Sequence, residues 1–205
     1  MNQVMSEFNA YRGMLERIKL DPRYKEGVEY GKPRPGHAEG TVKAHIAELE
    51  ENLNVLRERN WLMEGDYEKL MILIHVHDTF KYASARNVSI VAPDSHSTLA
   101  KNFLAEFTSD SDLLNICQYH DVGYSIFRKF KNKGVFDSTR LNEVINKIED
   151  IELFLMFAII DSCTKGKGRE AIKWLVSEVC AVYPFCSVDA DWILDPDNIP
   201  TDGSW

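Results

Sequence analysis

The sequence predicts an all-α protein built around one hydrophobic core, and three observations carry that prediction. Apolar residues recur at spacings of three and four along most of the chain. No convincing β-hairpin, internal repeat or low-complexity tract interrupts the pattern. At 205 residues the chain can bury one substantial core, and length alone gives no reason to divide it.

The elements follow in order. Val4, Phe8, Tyr11, Leu15 and Ile18 form a stripe that predicts an amphipathic helix over 2–20. The segment Asp21–Gly36 holds three prolines and three glycines and reads as a loop. A second helix runs from near Thr41 to about Arg59, with Val42, Ile46, Leu49, Leu53 and Leu56 inward. A third starts behind Asp66 as N-cap and is apolar on nearly every side from Leu70 to Val76, which marks it as central. Beyond a turn-rich stretch at Asn87–Pro93, a helix is expected from near Asp94 to Phe107. Further helices are expected over Asp112–His120, Ser138–Ile148, Ile151–Cys163 and Gly168–Val179, with none assigned over 122–133. Pro196 and Pro200, in an acidic end, predict an irregular tail over 187–205 behind one domain over 1–186.

Composition narrows the functional classes. The longest uninterrupted apolar run, Leu153 to Ile160, is eight residues, far short of the roughly 20 that span a bilayer. The N-terminus carries Glu7 and no basic-then-apolar stretch, so no secretory signal is expected there. Cys117, Cys163, Cys180 and Cys186 show no CxxC spacing and read as reduced thiols of a cytoplasmic protein. With 24 basic and 32 acidic residues, a net charge of −8 argues against a broad nucleic-acid surface. An anionic substrate would need locally concentrated positive charge.

The histidines and acids carry the chemistry. All six histidines lie between His37 and His120. His45 shares a face with Val42 and Leu49, and His77 ends the most apolar helix and is followed at once by Asp78. His96 lies three residues before Leu99, and His120 three after Cys117. Asp161 closes the run LFLMFAII, where a lone ionised carboxylate is costly without a cation or dense hydrogen bonding. Taken singly, each has a bland reading as a hydrogen-bonded core histidine, a helix cap or half of an ion pair. Taken together they would need several independent partners, whereas one metal cluster accounts for them all. A mixture of imidazole and carboxylate suits Mn, Fe, Co or Zn better than Mg or Ca.

These residues also carry a family resemblance. The string LIHVHDTFK (73–81) resembles the signature of the HD superfamily, an apolar helix ending in His-Asp with a Lys three residues later. HAEGTVKAHIAELEENL (37–53) resembles the helix that supplies the first histidine, and AIIDSCTKG (158–166) the segment that supplies the last ligand. The resemblance covers roughly residues 37–170 and implies an HD-type helical bundle with metal ligands His45, His77, Asp78 and Asp161. Members with two metals add two histidines between the HD pair and the last Asp. His96 and His120, 18 residues after Asp78 and then 24 further on, fit that role, with Asp78 bridging two ions. The other reading is one ion, with these histidines behind the ligands or against substrate.

The remaining candidates are less defined. His75 lies about 200° around the helix from His77 and reads as structural or as support for a ligand. His37 and Glu39, in the approach to His45, either reach substrate or cap the helix. Asp121 repeats an HD dipeptide and reads as a turn or cap residue. Lys81, i+3 from Asp78, projects toward the same pocket and in resembling enzymes touches a substrate oxyanion. Arg128, Lys129, Lys131 and Lys133 follow His120; Lys165, Lys167 and Arg169 follow Asp161. Either group can rim a pocket or form a solvated surface, and Arg128 and Lys165 are the substrate-binding candidates. The resemblance implies metal-dependent hydrolysis of a small phosphorylated metabolite, nucleotide or nucleotide-like, with Asp78 and Lys81 catalytic. Two alternatives stand beside it: a di-iron HD oxygenase that cleaves a C–C or C–P bond, and a non-catalytic ligand-binding HD domain.

Overall fold

The computed structural model describes residues 2–33, 39–59, 62–183 and 186, and within them the chain is all-α. The only β pairing among the described residues is a lone bridge between Gly31 and Thr41. Helix α1 (Asn2–Leu20) buries Met14, Leu15 and Ile18 and packs on α4 (Glu64–Val76). Helix α3 (Val42–Arg59) turns Leu49, Leu53 and Leu56 inward against α4 and against α9 (Ile151–Ser162).

Helices α4 and α9 form the centre. Every residue of α9 from Leu153 to Ile160 is buried, as are Leu70, Ile72, Leu73, Ile74 and Val76 of α4. Each fully buried Leu, Ile or Phe contributes about 1.5–3 kcal/mol, so these two helices anchor the molecule. Asn52 Nδ2 of α3 donates to the Ile160 carbonyl at 3.0 Å, which satisfies a polar group at the α3–α9 contact beside Asp161. One continuous cluster of buried apolar side chains extends from Met14 to Val179.

Around this centre lie α5 (His96–Leu104), α6 (Ser111–Tyr119), α7 (Val122–Lys133), α8 (Ser138–Ile145) and α10 (Glu170–Val182). Helices α5 and α6 pack together, and α10 packs on α7 and α9. Asp110 caps α6 by accepting from the backbone N–H groups of Asp112 and Leu113. The buried Asp112 carboxylate accepts from the N–H groups of Glu149 and Asp150, which ties α6 to the entry of α9.

Two segments differ from the sequence expectation. The predicted loop over Asp21–Gly36 contains a helix, α2 (Pro22–Val28). Asp21 caps it by accepting from the Arg23 N–H, and Pro22 sits in the first turn, where its missing N–H costs nothing. Residues 122–133, left without an element, form α7, which buries Val122, Gly123 and Ile126 and ends at left-handed Gly134. Its basic outer face hid a short inward stripe. Boundaries also move: the N-cap of α4 is Met63, not Asp66, and α5 is capped by Ser95, whose Oγ accepts from the Thr98 N–H. The tail expected over 187–205 lies outside the described residues. No helix among the described residues is long and apolar enough to cross a membrane.

Candidate metal centre

Five helix ends deliver the cluster. His45 projects from the first turn of α3, and His77 is the residue that ends α4. Asp78 follows, and a 3-10 turn (Thr79–Tyr82) carries Lys81 back over it. His96 opens α5, His120 ends α6, and Asp161 lies in the last turn of α9. The chain leaves α4 sharply because Thr79 Oγ1 donates to the His75 carbonyl at 2.6 Å, satisfying one of the last acceptors of that helix.

The two oxygens of Asp78 face different partners. Oδ2 lies 3.8 Å from His45 Nε2 and 3.5 Å from His77 Nε2. Oδ1 lies 3.7 Å from His96 Nε2 and 3.8 Å from His120 Nε2. Asp161 Oδ1 completes the first group, 3.0 Å from His45 Nε2 and 3.8 Å from His77 Nε2. Two sets of donors, His45–His77–Asp161 and Asp78–His96–His120, are each close enough to hold a metal ion. Bonds of about 2.0–2.2 Å to one ion place neighbouring donors about 2.8–3.6 Å apart, so both sets need only a small contraction.

The donor atoms are oriented as ligands. Nδ1 of His77 lies 3.1 Å from the carbonyls of Leu73 and Ile74, and Nδ1 of His120 lies 2.8 Å from the Cys117 carbonyl. Those contacts require the proton on Nδ1 and leave a lone pair on each Nε2. His77 Nε2 is buried and has no hydrogen-bond partner among the described residues. His96 Nε2 and His120 Nε2 face each other at 3.3 Å, and His45 Nδ1 lies 3.3 Å from the buried Glu39 carboxylate. Acceptors that converge in this way need cations or protons between them. The residues fit a metal centre.

The histidines of the cluster are pushed in different directions. Burial drives the His77 pKa down to about 4, so its imidazole is neutral and available as a ligand. Burial alone would lower the His45 pKa, but hydrogen bonds to Asp161 and Glu39 raise it to about 8. Burial pushes Asp78 and Asp161 up, yet Lys81 and Lys167 respectively, with the histidines, hold both well below the ordinary carboxylate range. Lys81 Nζ donates to Asp78 Oδ2, and Lys167 Nζ donates to Asp161 Oδ1 at 3.0 Å and to the Asp161 carbonyl at 2.8 Å.

The other predicted residues separate clearly. His75 points away from the cluster and bonds Tyr24 Oη at 2.6 Å and Glu50 Oε1 at 3.0 Å, a structural role. Glu39 is buried behind His45, while Thr41 Oγ1 accepts the Ala44 N–H in the first turn of α3. His37 lies outside the described residues. Arg128 lines the cleft over the cluster. Lys165 is exposed and meets Glu48 through its backbone N–H; Lys167, not Lys165, reaches the site. Arg169 donates to the carbonyls of Ser162, Cys163, Thr164 and Lys167, so it holds the loop that carries Lys167. Lys129 and Lys131 pair with Asp137 and Glu170 on the surface.

Sequence reasoning missed Asp121. It stands at the start of α7 but makes no capping bond with its side chain. Its Oδ2 lies 3.3 Å from His96 Nε2 and 3.6 Å from His120 Nε2. The repeated His-Asp dipeptide was the available signal.

Two clefts open on the cluster and share Asp78 and Lys81. One, about 630 Å³, is lined by Tyr30, Lys32, His45 and Arg86; the other, about 620 Å³, by His120, Asp121, Arg128 and Lys167. In comparisons with known proteins, no family model, no curated protein and no solved structure matches the chain.

Proposed function

We propose that the protein is a metal-dependent phosphohydrolase of the HD type, acting on a small phosphorylated metabolite of nucleotide or nucleotide-like character. The observation that carries this reading is the pair of ammonium groups, Lys81 and Lys167, held against the two carboxylates of the metal cluster. An acidic protein that places two lysines there, with Arg128 at the cleft wall, concentrates positive charge where an anion would meet the metals. Phosphoester hydrolysis uses such charge; the likeness of the ordered set His45, His77–Asp78, Asp161 to the HD signature supports reading it as HD chemistry.

A bound pair of Mn, Fe, Co or Zn ions would polarise a phosphoryl oxygen and lower the pKa of a bound water. His45, His77 and Asp161 would hold one ion, and His96 with His120 the other, with one oxygen of Asp78 turned toward each. Lys81 and Lys167 stabilise the charge that develops on the phosphoryl oxygens. Buried Glu39 fixes the His45 ring so that Nε2 faces the cluster.

The test is phosphate release from a panel of nucleotides by Mn-loaded protein under nitrogen. Release is expected without oxygen. Lys81→Ala should lower kcat roughly 10²–10³-fold with little change in metal content, because Lys81 acts on developing charge and is not a ligand. No release from any phosphoester, together with oxygen uptake by the iron-loaded protein, would replace the hydrolase with an HD-type oxygenase.

A further inference from the structure

The side chain of Asp121 is drawn away from the helix end where it stands. At the first position before α7 an aspartate ordinarily accepts a backbone N–H from the next turn. Asp110, Asp137 and Asp150 do so at the entries of α6, α8 and α9, and Asp121 does not. Its carboxylate points at two imidazole nitrogens that already face Asp78. His96 Nε2 and His120 Nε2 lie 3.3 Å apart, and each lies 3.3–3.8 Å from Asp78 Oδ1 and from Asp121 Oδ2. His45 Nε2 and His77 Nε2 each lie 3.0–3.8 Å from Asp78 Oδ2 and from Asp161 Oδ1. In both groups, each of two imidazole nitrogens stands within 3.8 Å of two carboxylate oxygens.

We infer that Asp121 is a protein ligand of the second metal, so that the centre consists of two equivalent sites, each of two histidines and two carboxylates, joined through Asp78. In the second site Asp121 takes the place that Asp161 has in the first.

Charge supports the same assignment. Lys81 and Lys167 each pair with a carboxylate, so Asp78 and Asp161 are already balanced before any ion enters. A second divalent ion held by His96, His120 and the already paired Asp78 would bring charge into a partly buried pocket with no further carboxylate to offset it. Asp121 supplies the missing anion. Its side chain is 40% exposed and lines, with Arg128, the cleft over the cluster.

The inference rests on the metal-cluster reading, not on phosphate chemistry, and its test needs no substrate. Chelator-stripped protein is reloaded with Mn²⁺, desalted and assayed for bound metal and by electron paramagnetic resonance. Wild type is expected to hold two ions with the spectrum of a magnetically coupled pair. Asp121→Ala should hold one, with the hyperfine pattern of an isolated Mn²⁺, and isosteric Asp121→Asn should weaken the second ion at least about 10-fold. In an Asp161→Asn background the remaining ion should vanish when Asp121→Ala is added. Circular dichroism checks folding, and Asp121→Asn serves if Asp121→Ala fails to fold. Two ions and a coupled spectrum in Asp121→Ala and Asp121→Asn would overturn the assignment, even with activity lost, since the residue would then be a proton acceptor. No metal uptake by wild type would sink the cluster reading itself.

Discussion

His77 and His45 sit in one cluster yet are pushed in opposite directions, and that difference is measurable. The His77 ring lies within the core beside Phe157, with ring centroids 5.2 Å apart, and burial lowers its pKa from 6.5 to about 4. Unfolding returns it to the ordinary value, so below pH about 6.5 the unfolded chain binds the proton that the fold refuses. Its contribution to stability is full above that pH and is lost as the pH falls toward 4. His45, raised to about 8 by Asp161 and Glu39, contributes fully below pH 6.5 and loses that contribution as the pH rises through 8. Metal-stripped protein should therefore be most resistant to heat near pH 6.5, with Tm falling on either side. Metal-loaded protein should keep its Tm on the alkaline side and lose metal on the acid side, where protons compete for the imidazoles. Thermal melts from pH 4.5 to 9 with and without metal check this; a metal-free Tm that rises steadily across the range would contradict it.

At the scale of elements, the close approach of α2 to the 3-10 turn sets the position of Asp78. A Cβ on Gly27 would lie 2.1 Å from the Thr79 carbonyl oxygen, so only glycine lets α2 rest on the residue that follows Asp78. In a helix, Gly→Ala ordinarily gains up to about 1 kcal/mol. Gly27→Ala should instead cost about 1–3 kcal/mol, as overpacking does, and should loosen metal retention because Asp78 moves with Thr79. A Tm at or above that of wild type would show that the contact is not needed. The same region shows what could be read from the chain and what could not. The largely apolar stretch Leu70–Val76 and the apolar run Leu153–Ile160 announced the two central helices, and the boundaries of α1 and α3 fell within a residue of expectation. Helix α2 was hidden because its Pro22 and Gly27 are turn residues by composition, and only tertiary packing distinguishes a helix start and a close contact from a loop. Helix α7 was hidden because Gly123, set against Leu175 of α10, replaces a large apolar residue in its inward stripe.

Among the described residues, α3, α4, α5, α6 and α9 each end or begin at one place, and the packing of that core brings together candidate ligands from positions 45 to 161. The ordered spacing of His45, His77–Asp78, His96, His120 and Asp161 made six members of the cluster legible, because each closes or opens an apolar helical stripe. Asp121 and Lys167 were not legible as members, since both lie just past a helix end, where local pattern is silent and only three-dimensional closure selects among neighbouring charges. Lys165, two residues away and with the same charge, faces outward. The centre turns on Asp78, which has an oxygen toward each set of donors. The most direct test is therefore the metal content of protein purified without chelators, measured for wild type and for Asp78→Ala with the helical signal monitored in parallel. Wild type should carry about two transition-metal ions per chain and Asp78→Ala almost none, with its helices intact. Full metal content in Asp78→Ala, or a wild-type protein that binds no transition metal, would contradict the account.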